Sequence, residues 1–116
     1  MNVSIMDIVT VINKAQAKLA TQPGKLAGLN ARIKIRVNGV PQGAWIFNCV
    51  SSILVNESDA EADCTISLDH NILDEIVEFD RNPQELFLQN KIKVSGDMKL
   101  VLYANEILEA FRDPST

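Results

Sequence analysis

Two cysteines, Cys49 and Cys64, one histidine, His70, and the acids Asp74, Glu75, Glu78 and Asp80 are the residues best suited to chemistry in this 116-residue chain. A cysteine beside a histidine base would make a nucleophile. His70, however, stands where a strand-like run gives way to a helix-like one, as a partly exposed helix-start residue. Cys49 and Cys64 have no neighbour in sequence that would depress a thiol pKa. Each sits in an apolar run, where a reduced cysteine packs as a small hydrophobe. Two cysteines are too few for a disulfide scaffold. A tetrahedral zinc site needs four ligands in close pairs, which this spacing does not supply. Paired carboxylates can exchange protons as acid and base, but the acids from Asp74 to Asp80 read as the solvated face of one helix. Gly96 has no glycine-rich loop around it, so no phosphate cradle is predicted there. These residues predict no catalytic group, no metal site and no cofactor.

The elements that would position them follow from periodicity. Ile5, Ile8, Val9, Ile12, Ala15 and Leu19 recur at three- and four-residue steps. They predict an amphipathic helix from Ser4, as N-cap, to Leu19, with Asp7 set against the helix dipole. Thr10, Lys14 and Lys18 form its wet face, and Gln22-Pro23-Gly24 ends it. From Ala31 to Asn38 apolar residues alternate with Arg32, Lys34 and Arg36, a strand with one apolar and one basic face. The stretch Asn38 to Gly43 is rich in turn formers. Ala44 to Ser51 is a second strand, apolar on both faces and so covered on both. Ile53 to Val55 gives a third and Asp63 to Asp69 a fourth, with a polar turn from Asn56 to Glu61 between them. His70 to Asp80 turns helical through Ile72, Leu73, Ile76, Val77 and Phe79. Asn82 caps a short helix with Pro83 at its first position. Lys91 to Ser95 alternates as a fifth strand, and Asp97 caps a last helix to Phe111. The predicted class is α+β, a five-stranded, mainly antiparallel sheet packed with helices. Its first three strands form a meander, and a crossover joins the last two.

Composition narrows the function. Apolar residues make up 47% of the chain, enough for a core, so residues 1–116 are expected to form one domain. Fifteen acids against eleven bases leave a net charge of −4, and only 5% of residues are aromatic. That balance argues against nucleic acid as a partner and against strong electrostatic docking on anionic membranes. No apolar run approaches the roughly 20 residues of a membrane span, so stable membrane insertion is not expected. The first residues show no signal peptide and the last no targeting tripeptide, which makes the cytoplasm the expected compartment.

What remains is apolar surface. From Met98 to Ala104 only Lys99 interrupts Met98, Leu100, Val101, Leu102, Tyr103 and Ala104. A helix merely docked on a sheet needs a stripe, not a nearly full circumference. It is either a deeply buried helix or dimer contact, or one that also walls an apolar ligand cavity. Trp45 and Phe47 carry the same two readings, core or lining.

The run from Asn82 to Leu100, with Lys91-Ile92-Lys93-Val94-Ser95-Gly96-Asp97 at its centre, resembles the sterol carrier protein family. Asp63 to Asp69, the Gly43-Ala44-Trp45 strand start and the first helix agree in pattern. The resemblance runs from about Ile5 to Phe111 and is most specific from Lys91 to Leu100. It implies a non-catalytic α+β domain that binds or transfers a lipid, fatty acyl, sterol-like or isoprenoid, in an apolar tunnel between sheet and helices. The chain lacks the peroxisomal end of eukaryotic carriers, which points to a stand-alone bacterial member. Some bacterial members are accessory proteins in ubiquinone biosynthesis. The alternative is therefore an interaction module with a closed cavity, serving a homodimer or an accessory-protein partner. On this resemblance the lining would come from Trp45, Phe47, Phe79, Phe87, Met98, Val101, Leu102 and Leu108. Burial contributes roughly 25 cal/mol per Å², about 0.8 kcal/mol per methylene, so a long chain needs no strong polar contact. Such a site separates chains differing by a carbon or two only weakly.

Overall fold

Strict alternation along Arg32-Ile33-Lys34-Ile35-Arg36-Val37 makes this segment the centre of the molecule. Ile33, Ile35 and Val37 are buried and Arg32, Arg36 and Asn38 are exposed, but Lys34 of the basic face is buried as well. The computed structural model describes residues 5–21, 26, 29–40, 43–51, 53–56 and 61–112, without the side chains of residues 5–9 and 53. The predicted cap at Ser4, the break at Gln22-Pro23-Gly24, Pro41-Gln42 of the first turn and residues 57–60 of the polar turn lie outside the described residues. So do the side chains of Ile5, Asp7, Ile8 and Val9.

Strands β1 (Arg32–Asn38), β2 (Ala44–Asn48), β3 (Ile53–Asn56), β4 (Cys64–Asp69) and β5 (Ile92–Gly96) form one sheet in the order β3-β2-β1-β4-β5. The pairs β1–β2, β2–β3 and β4–β5 are antiparallel, and β1–β4 is parallel. The sheet is thus mixed and mainly antiparallel, and its first three strands are a meander. The crossover lies elsewhere than expected. β5 returns antiparallel beside β4, and the connection that skips strands runs from β3 to β4. β3 already occupies the outer edge of β2, so the next strand finds its partner on the far side of β1.

Register stacks one face. Ile35 lies opposite Trp45 and Ile66, and Ile33 opposite Phe47 and Cys64. Ala44 to Phe47 are all buried, in keeping with the reading of β2 as covered on both sides. Helix α1 (Ile5–Thr21) adds Ile12, Ala15 and Leu19 to the same core. Its Gln16 Oε1 accepts the Leu54 N–H, holding the edge strand β3, and its Lys18 Nζ donates to the Arg112 carbonyl at 3.2 Å. Helix α2 (His70–Glu78) buries Leu73 and Ile76, and α3 (Pro83–Leu88) buries Leu86. After a 3-10 turn at Met98–Leu100, helix α4 (Val101–Phe111) buries Ala104, Ile107, Leu108 and Phe111. Among the described residues no helix is long and apolar enough to cross a membrane.

Gly96 ends β5 for a backbone reason. Its φ is +100°, and a Cβ there would come within 2.6 Å of the Asp63 carbonyl oxygen. Any other residue would push β5 off β4 at this point.

Candidate functional site

The residues singled out for chemistry do not assemble into a reactive site. Cys49 and Cys64 are free and buried. Burial, reinforced by the negative charge of Asp63, pushes the Cys49 thiol up to about 11. Cys64 is raised as well, by burial and then by Asp97 and Asp63. Both therefore stay protonated near neutrality and are poor nucleophiles. His70 opens α2 half-buried, with its ring against Gly39, where an added Cβ would meet Cδ2 at 2.5 Å.

The reading of the α2 acids as one solvated face needs correction. Asp74 is only 4% exposed, and among the described residues its Oδ1 has no hydrogen-bond partner. Glu75 is half-buried and pairs with Arg81 at 3.0 Å. Only Glu78 and Asp80 are exposed, and Asp80 is held by Arg112 Nε at 2.6 Å. The physical reason is the width of the apolar arc. Leu73, Ile76 and Val77 turn enough of α2 inward to carry position 74 with them. Among the described residues no three of His, Cys, Asp and Glu come together as metal ligands would.

The apolar surface gathers elsewhere. Asn82 Oδ1 accepts the Gln84 N–H at 2.9 Å and Pro83 takes the first helical position, which starts α3. Leu86, completely buried, anchors that helix, leaving Phe87 half-buried and Leu88 73% exposed. Alternation along β5 sends Ile92 and Val94 to the same face of the sheet. In α4, Val101, Asn105 and Leu108 follow four- and three-residue steps, with Leu102 and Glu106 beside them. These three elements enclose a groove of about 290 Å³. It is lined by Pro83, Gln84, Phe87, Leu88, Ile92, Val94, Val101, Leu102, Ala104, Asn105, Glu106 and Leu108. Leu108 is fully packed, while Leu88 and Leu102, at 73% and 78% exposure, stand in solvent. Its volume is near the lower end of small-molecule sites, roughly 300–1,000 Å³, and its lining has their mostly apolar character. A second depression, of about 440 Å³, lies beside Asn38, Ser67, Asp69, Lys91 and Lys93. Polar and charged residues, Asn90 included, outnumber Leu68 and Ile72 in its lining.

Of the eight residues proposed as lining, the groove brings together Phe87, Val101, Leu102 and Leu108. Trp45 and Phe47 pack in the core instead, at 7% and 0% exposure. Phe79 and Met98 are exposed and do not line this groove. Sequence reasoning missed Pro83, Gln84, Leu88, Ile92, Val94, Ala104, Asn105 and Glu106 as lining. The alternation at Lys91-Ile92-Lys93-Val94 already marked Ile92 and Val94 as one face. The helical step from Val101 to Asn105 to Leu108 likewise marked Asn105.

Comparison with known proteins gives this geometry a context. The model of the SCP-2 sterol transfer family matches residues 12–109. Ubiquinone biosynthesis accessory factor UbiT of Escherichia coli (strain K12) is 30% identical over 96 residues, 82% of this chain and 55% of UbiT. Sterol carrier protein 2 of Oryctolagus cuniculus is 36% identical over 67 residues, 55% of this chain and 12% of that protein. The chain therefore spans about half the length of the first relative and a small part of the second. The solution NMR structure of palmitated SCP2L2 from Aedes aegypti superposes with a TM-score of 0.73 at 18% identity, covering 93% of this chain and 95% of that one. At that identity the likeness speaks for the fold.

Proposed function

This chain belongs to the SCP-2 sterol transfer family, and from that premise we propose that it is a non-catalytic carrier that holds an elongated apolar molecule between α3, β5 and α4. One observation carries this reading: the groove is lined mostly by apolar side chains yet keeps two leucines, Leu88 and Leu102, in solvent at its border. Side chains of that kind have little reason to face water on a helix that only completes a core. Phe87, Val101, Leu102 and Leu108 are the proposed contacts. The ligand is a fatty acyl, sterol-like or isoprenoid molecule, and residues 1–116 act as one binding domain in the cytoplasm. The palmitate on the SCP2L2 relative supports an aliphatic chain as the bound part.

Similarity to UbiT favours a second, narrower reading. In it the same domain is an accessory factor in ubiquinone biosynthesis, and the apolar molecule is an isoprenoid precursor passed to partner enzymes.

The test is Leu102→Asp, which sets a hydrated carboxylate at the groove without disturbing the core. Leu102 is exposed, so stability should change by no more than about 0.5 kcal/mol. Affinity for a neutral fluorophore on a long alkyl chain should fall about tenfold. Unchanged affinity in the folded variant would remove the groove as the binding site.

A further inference from the structure

The polar side chains of the groove carry information about the other end of the ligand. Among the described residues Gln84, Asn105 and Glu106 are its polar members, and neither lysine nor arginine lines it. The cations nearby are directed elsewhere. Arg81 pairs with Glu75, and Arg112 with Asp80 and Glu109. Lys91 and Lys93 line the second depression, and Lys99 does not reach the groove lining. Glu106 is half-buried and, among the described residues, makes no ion pair.

The turn that leads into α4 would be another source of donors, but its N–H groups from Lys99 to Val101 are taken. Asp97 Oδ1 accepts the Lys99 N–H at 3.0 Å, the Asp97 carbonyl accepts from Leu100 at 3.0 Å, and the Met98 carbonyl accepts from Val101. A ligand carboxylate in this groove would thus meet the charge of Glu106, with no lysine or arginine among the described lining residues to offset it. A hydroxyl fits the same residues. It can donate to the Glu106 carboxylate and accept from the Asn105 or Gln84 amide.

Resting on the carrier reading above, we infer that the groove selects apolar molecules whose polar end is an uncharged hydroxyl over free carboxylates of the same chain, and that Glu106 determines this choice. Dodecan-1-ol and dodecanoate share a chain and differ only at the head. Each is titrated at pH 7 against the 116-residue protein loaded with the neutral alkyl fluorophore. The alcohol should displace it at a concentration about tenfold lower than the acid. In Glu106→Gln the acid should gain about tenfold relative to the alcohol. Equal displacement by acid and alcohol would overturn the inference while leaving the carrier reading in place. So would a preference that Glu106→Gln leaves unchanged. If neither the fluorophore nor the alcohol binds, the carrier reading falls and this inference with it.

Discussion

Leu102 and Cys49 mark the two extremes of side-chain environment in this protein. Leu102 presents its isobutyl group to water beside an apolar groove, so its substitution is read in ligand affinity rather than in folding. Cys49 is 1% exposed, and its thiol is held neutral by burial and by Asp63. A thiol raised in the folded state stabilises the fold below its unfolded value near 9 and loses that contribution as pH rises through about 11. The denaturation midpoint should therefore fall between pH 9 and 11, and Cys49→Ala should fall less steeply over that window. Identical slopes in the two proteins would show that Cys49 does not titrate with unfolding. The alternating apolar run around Cys64 already foretold a buried thiol in the sequence. The environment of Asp74 was not legible, because an acid within an acidic helix reads as solvated until the width of the neighbouring apolar arc is known.

At the scale of elements, local signals and long-range pairing differ in legibility. The start of α3 follows from Asn82 and Pro83 alone, and the cap forms as the residue types require. Asn82→Ala should leave the Gln84 N–H without its acceptor and lower stability by about 1 kcal/mol, measured by urea denaturation. Because α3 forms one wall of the groove, probe affinity should weaken in parallel. A stability loss with unaltered affinity would mean that α3 is not part of the binding surface. The last helix was legible as an apolar segment but not as two pieces, since the 3-10 turn at Met98–Leu100 depends on how Asp97 and Met98 close it. The position of the crossover was likewise hidden. Periodicity tells which residues share a face, but it does not say on which edge a strand will pair.

For the whole molecule, the mixed sheet packs against helices, and the chain's α+β pattern and family resemblance foretold this arrangement. The groove was half legible. Val101, Leu102 and Leu108 follow from a last helix whose apolar arc is too wide for simple docking, and Phe87 from the short helix that Asn82 and Pro83 start. Trp45 and Phe47 looked equally suitable, and only the opposition of β2 to β1 places them inside the core. Among the polar members, Asn105 was marked only by its helical step from Val101, and Gln84 and Glu106 were invisible because amides and acids on helices usually face solvent. The central claim is that this protein carries an apolar molecule, and native mass spectrometry of the purified protein, followed by organic extraction, tests it most directly. The account predicts an adduct of definite mass that extraction releases as a single-chain lipid or prenylated compound. A protein of bare mass that also takes up no neutral alkyl fluorophore would contradict it, leaving an interaction module with a closed cavity.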